Sequence, residues 1–308
     1  MPDTRRGLIY AAAAYGIWGL FPLYWKLLLP SSAGEILAHR LLWSLVVVAI
    51  VVAALRHFRL VGRLLADWRR TAAVTGAAVL ISVNWITYIY GVNSGHVVET
   101  SLGYFINPLV SVLMGVLLLR EQLRSWQWAA VGIGGLAVAV LTIEYGRLPW
   151  IALTLGFTFA CYGLIKKKVA LPADVSLFAE TVAVALPAVG FLVWLYSTGD
   201  ATFGTISVTH TLLLAGAGIA TAVPLLFFAG AANRLPLTVI GMAQYIAPIM
   251  QFTIGVAIYH EVMPTARWIG FGLVWCALAV FTADAVRQNR RNRIILAAGR
   301  PATADVPA

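Results

Sequence analysis

The ionisable side chains that could do chemistry are few, and several stand inside long apolar runs. Arg40 and Glu180 carry opposite charges within two such runs, His39 precedes the arginine, and Lys26 and Lys166 end the runs before them. A charge at the centre of a membrane helix costs at least about 2.5 kcal/mol unless water or a counter-charge reaches it. Lys26, His39, Arg40, Lys166 and Glu180 are therefore candidate gates or ion pairs, with a small charged cluster expected at each mouth of a pathway. The competing reading makes them anchors, the lysines reaching toward headgroups. Catalytic chemistry does not assemble. Asn93, Ser94, Gly95 and His96 lie in a loop, and Val92 stands where an intramembrane serine protease would need glycine. His260-Glu261 is followed by no second histidine at metalloprotease spacing, and there is no Walker loop for an ATP-driven pump. No catalytic residue, metal site or cofactor is expected, and the protein is not read as an enzyme.

A second set of polar groups surrounds two prolines. Pro108 and Pro248 fall near the centres of two apolar runs, where each would remove one backbone hydrogen bond and free the carbonyls of Tyr104 and Gln244. A freed carbonyl in hydrocarbon is costly, so these segments are expected to be broken and to face protein or a wet cavity. Asn107, Tyr104, Gln244, Tyr245 and Gln251 cluster around the same positions. Asn84 and Tyr88 lie one turn apart on a third run, where asparagine serves as readily to join helices as to touch a ligand. The alternative for the prolines is a packing kink satisfied by neighbouring helices.

The elements that must position these groups are membrane helices. The chain has 308 residues, 61% of them hydrophobic and 11% charged, far from the balance of a soluble domain. Apolar segments of about 20 residues match the hydrocarbon thickness. Ten are expected, at about 8–29, 35–55, 71–91, 99–119, 126–143, 148–165, 176–196, 209–232, 237–259 and 267–285. The first continues through Trp18, Phe21 and Tyr24, too bulky for a cleaved signal. Cys161 and Cys276 both lie in apolar spans and offer no disulfide framework. The net charge of +10 is unevenly placed. With a cytoplasmic N-terminus, eighteen Lys and Arg fall on the inside and four, Lys26, Arg40, Arg147 and Arg267, on the outside. That distribution points to a bilayer partner and both termini inside, and excludes nucleic acid.

Residues 104–140 recur at 244–280 without a gap, offset by 140. Ile106, Pro108, Gly115, Glu121, Trp128 and Gly132 return as Ile246, Pro248, Gly255, Glu261, Trp268 and Gly272. The chain reads as a duplication, with residues 1–145 as one five-helix repeat, 146–287 as a second, and 288–308 as a basic, disordered cytoplasmic tail. Five is odd, so the second copy enters the bilayer from the opposite side. The expected fold class is an all-α membrane protein of ten transmembrane helices in two inverted five-helix repeats, an arrangement that places substrate near the midplane. Ser125 and Thr265 are expected to cap the fifth and tenth helices, Glu121 and Glu261 to complement helix dipoles in the same turns, and the 56–70 connection to lie on headgroups.

The span from 7 to about 287 resembles the RarD-like permeases of the EamA branch of the drug/metabolite transporter superfamily. The resemblance rests on Trp18-Gly19 with Pro22 and Lys26, EILAHRLLWS at 35–44, SLGYFINPLV at 101–110, YGLIKKK at 162–168 and QYIAPIM at 244–250. It implies a ten-helix inverted-repeat fold in which helices one, three, four, six, eight and nine surround a central cavity, adding Trp18 to the substrate-cavity candidates Asn84, Tyr88, Tyr104, Asn107, Pro108, Gln244, Tyr245 and Pro248. The expected function is secondary transport, as an exporter or permease, of a small amphipathic or amino-acid-like metabolite or drug, driven by its own gradient or by an ion such as a proton. The expected location is the bacterial inner membrane. A lipid-handling protein such as a flippase is the alternative.

Overall fold

In hydrocarbon every backbone N–H and C=O must be satisfied within the protein, which for single segments means helix. The computed structural model describes the backbone of residues 2–119 and 122–298, and all of its regular secondary structure there is helical. The order is α1 (Pro2–Leu27), α2 (Ala33–Ala54), α3 (Phe58–Ala66), α4 (Trp68–Asn93), α5 (Val97–Leu119), α6 (Ser125–Tyr145), α7 (Trp150–Val169), α8 (Ala173–Thr198), α9 (Val208–Ala232), α10 (Leu237–Ala243), α11 (Ile246–Thr253), a π-helical turn (Ile254–Ile258) and α12 (Thr265–Ala298). Among the described residues, nine spans are long and apolar enough to cross a membrane; Val239–Ile258 joins most of α10 to α11 and the π turn. Helix α7 occupies the place of the remaining expected span and ends in Lys166, Lys167 and Lys168.

Local signals set the boundaries. The Ser32 hydroxyl accepts from the Glu35 amide, Asp67 from the amides of Arg69 and Arg70, and Ser207 from the His210 amide, each covering a free donor in a first turn. Gly146 and Gly199 end α6 and α8 in left-handed conformations, φ 64° and 81°, that only glycine adopts freely. Helix starts recur at the offset seen in the sequence: Ala33 and Ala173, Trp68 and Val208, Val97 and Leu237, Ser125 and Thr265 are each 140 apart.

Several expectations need correction. Ser125 and Thr265 are the first residues of α6 and α12 rather than their caps; ahead of α6 the Gln127 side chain reaches back to the Arg124 amide. Pro108 does not break its helix, since α5 runs through it from Val97 to Leu119. Its counterpart does sit at a break: α10 closes at Gln244 and α11 opens at Ile246, with Pro248 in the first turn. There its missing N–H is one the helix could not have bonded anyway. Part of the 56–70 connection forms α3, which buries Val61 and Leu64 and packs on α4 and α8. The expected disordered tail is helical as far as Ala298, since no Pro or Gly interrupts Val286 to Ala298. Arg120, Glu121 and residues 299–308 lie outside the described residues.

The packing forms two compact units that do not follow the sequence halves. The larger holds residues 1–111 and 149–263. Within it α2 packs on α8 and α9, α1 on α9 and α11, and α4 on α7 and α8. Helix α9 meets α2 so closely at Gly218 that an added Cβ would stand 2.4 Å from the Trp43 carbonyl carbon. Among the described residues, the smaller unit holds 112–119, 122–148 and 264–298. There α6 lies on α12, Leu141 against Gly270, with Arg124 bonded to Asp284 and Arg267 forked onto Glu144.

Candidate functional site

Arg40 is the eighth residue of α2, about 10 Å along the helix from its first residue. Its side chain enters the larger unit rather than leaving for water, and the residue is 3% exposed. The guanidinium stacks on the Trp85 ring at 3.8 Å, with the rings of Trp25 at 5.2 Å and Phe21 at 5.6 Å completing an aromatic cage from α1 and α4. Nε donates to the Thr221 hydroxyl oxygen at 2.9 Å, and that hydroxyl donates in turn to the Ala217 carbonyl on α9. Nη1 is buried and has no hydrogen-bond partner. Among the described residues no carboxylate lies within 4 Å of the guanidinium. The phenols of Tyr104 and Tyr88 are close enough to interact with it electrostatically.

Those two tyrosines belong to a polar group that the sequence marked. Tyr88 and Tyr104 meet edge-on at 5.5 Å, and the Tyr104 hydroxyl donates to Asn84 Oδ1 at 3.3 Å. Asn84 Nδ2 donates to the Leu155 carbonyl and the Thr158 hydroxyl on α7, both at 2.9 Å. Asn84 therefore joins α4, α5 and α7, while the buried Tyr88 hydroxyl has no partner. The other cavity candidates lie apart from this group. Trp18 packs between Tyr15 and Phe228, and its carbonyl accepts from Gln251 Nε2 at 3.0 Å. Asn107 Oδ1 is buried without a partner one residue before Pro108, whereas Gln244, Tyr245 and the buried Pro248 mark the α10–α11 break.

The two expected charged clusters turn out differently. Lys26 donates to the Asn93 carbonyl at 3.3 Å and lies over Tyr259; His39 stacks on Phe203 at 4.4 Å; Arg40 faces the cage. No common cluster forms from these three. Adjacent helical residues point about 100° apart, so His39 and Arg40 cannot serve one site. The second cluster does form. Lys166 Nζ lies 2.7 Å from Glu180 Oε1, Ser176 donates to the same oxygen, and the Tyr162 hydroxyl donates to Oε2 at 3.1 Å. Glu180, Trp85, Ser82 and Leu177 line a shallow crevice too narrow to hold a water molecule.

Sequence reasoning passed over two buried carboxylates, Glu35 and Glu99, and gave the half-buried Glu261 a different partner; all three tie elements together. Glu35 accepts from the Thr202 amide and hydroxyl and from the Phe203 amide, which pins the 200–204 loop beside His39. Ser31, Thr202 and His210 extend the network. Glu99 accepts from the Ile151 amide at the start of α7. Glu261, expected to serve its own turn, accepts instead from the Val97 and Val98 amides at the start of α5. A carboxylate is favoured at either helix start by free amides and the macrodipole. The available signal was burial itself, for acidic side chains in apolar surroundings require donors.

Residues 5–143 match the EamA-like transporter family. The chain is 53% identical to Protein RarD of Streptomyces exfoliatus over 99% of its length and 97% of that protein's. It is 42% identical to the uncharacterized transporter YojE of Bacillus subtilis and 39% identical to Protein RarD of Escherichia coli, each over 94% of this chain and 98% of the relative. A solved crystal structure shares the fold with a TM-score of 0.59 at 18% identity, covering 92% of this chain and 98% of that one. Identity at this level across whole chains exceeds what shared apolar composition would produce. The chain therefore belongs to the RarD-like permeases of the EamA-like transporter family and is a multi-pass membrane transporter.

Proposed function

We propose that the protein is a secondary transporter, acting as an exporter, that moves a small amphipathic or amino-acid-like metabolite through a central cavity between two inverted five-helix repeats. The observation that carries this reading is the buried polar group of Arg40, Asn84, Tyr88, Tyr104 and Thr221, contributed by α2, α4, α5 and α9, with two of its polar atoms unpartnered. Unpaired buried polar atoms cost stability, and a transport pathway is a reason to keep them.

The packing supports the repeat relation. Exchanging residues by 140 turns the α1–α9 pair into α7–α4, turns α2–α9 into α8–α4, and leaves α2–α8 unchanged, and all of these pairs pack. The excess of Lys and Arg on one side supports an inner-membrane protein with both termini cytoplasmic. In that orientation the Lys166–Glu180 cluster forms a cytoplasmic gate. The driving force is the substrate's gradient or an ion such as a proton. Lipid flipping draws no support from the relatives, which are named as transporters. The test is untargeted metabolite uptake by inside-out vesicles with and without the protein. Protein-dependent accumulation of a defined metabolite class is the expected result, and identical profiles would reject the reading.

A further inference from the structure

We propose that Arg40 is the recognition point for a monoanionic substrate, a carboxylate on an apolar or aromatic body. The inference rests on the transporter reading and adds the charge and class of what is carried. Four observations converge on it. Arg40 is buried in the larger unit and has no acidic partner among the described residues, although Glu35 stands on the same helix and Glu180 on α8, which packs against it. Both of those carboxylates are already committed, Glu35 to Thr202 and Phe203, Glu180 to Lys166, Ser176 and Tyr162. The guanidinium is held in place, because Thr221 fixes Nε and Trp85 covers its face. Its Nη1 edge and the Tyr88 hydroxyl are both left without partners.

A guanidinium is charged under essentially all conditions and offers a planar fork that matches a carboxylate. Stacking on indole compensates only part of the lost hydration. The remaining donors need an acceptor, and a carboxylate that enters the pathway supplies one, with the Tyr88 hydroxyl as a further donor. The rings of Phe21, Trp25 and Trp85 would then lie against the apolar body. A cationic or neutral polar substrate would gain nothing from this arrangement.

The test uses the full-length protein in lipid nanodiscs and reads intrinsic tryptophan fluorescence, since two of the cage rings are indoles. The probes are 3-phenylpropionate, its amide 3-phenylpropionamide, and phenyl phosphate. The expected result is saturable binding of the carboxylate at least about 30-fold tighter than that of the amide, the scale on which removing one partner of a buried charged contact acts. Arg40→Gln is expected to abolish the preference, and Arg40→Lys to weaken carboxylate binding while keeping its sign. Equal binding of acid and amide by the unaltered protein overturns the inference, whether or not Arg40→Gln folds. Tighter binding of phenyl phosphate than of the carboxylate also overturns it, in favour of a phosphate site. Carboxylate binding with no protein-dependent vesicle uptake would keep the inference and reject the transporter reading. Vesicle uptake of neutral metabolites alone would do the reverse.

Discussion

Replacing Lys166 by methionine isolates one buried charge. The Glu180 side chain is 3% exposed and that of Lys166 29%, so the substitution keeps the apolar stem of the lysine and strips the counter-charge from a carboxylate with little water. Removing one member of a buried pair costs about 3–5 kcal/mol. Glu180 retains the Ser176 and Tyr162 hydroxyls as donors, and Lys166 is partly wet, which lowers the expectation to about 2 kcal/mol. For a chain of this size that corresponds to a fall in Tm of about 3 °C, measured by thermal unfolding in detergent. Glu180→Gln should cost less, because the lysine left behind can turn toward water. The double variant Lys166→Met/Glu180→Gln should melt at least as high as Lys166→Met alone, with a coupling of about 1 kcal/mol between the two positions. A Lys166→Met protein that melts within about 1 °C of the parent would refute the reasoning. So would a double variant whose loss is the sum of the single losses.

Gly218→Ala should destabilise the protein by about 2 kcal/mol or more, because its Cβ would run into the Trp43 backbone, while Gly132→Ala, with open space around it, should be neutral; equal melting of the two would contradict the α2–α9 approach. A cysteine at exposed Ser197 should react with an impermeant thiol reagent on intact cells, and labelling only after membrane disruption would reverse the proposed orientation. Pro248→Ala, at the α10–α11 break, should alter transport more than Pro108→Ala, inside continuous α5, at matched protein levels. Equal activity of both with the parent would remove the break from the mechanism.

The helices were legible because apolar runs of bilayer length leave the backbone little choice, and because serine, aspartate and glycine at their ends announce the caps. The 140-residue offset carried over from identical residues to helix starts for the same reason: equal sequences begin helices at equal places. The Lys166–Glu180 contact was also within reach, since a short connection between α7 and α8 brings the end of one beside the start of the other. Lys26, His39 and Arg40 looked like a matching cluster only when depth was considered. Depth along a helix leaves the direction around it undetermined, and direction sends these three side chains to Asn93, Phe203 and the aromatic cage.

What the sequence determined by itself was membrane residence, the placement of the apolar helices, the recurrence of residues at an offset of 140, the family and the scarcity of charge within the spans. The family follows from the matching motifs, and the rest from composition or spacing along the chain. Only the tertiary structure decided which buried charges are satisfied. Glu35, Glu99 and Glu261 bond to amides 167, 52 and 164 positions away, and Arg40 finds Thr221 at a separation of 181. Such partners depend on how helices rotate and cross, and the cost of burying a charge is settled by what stands opposite it in space.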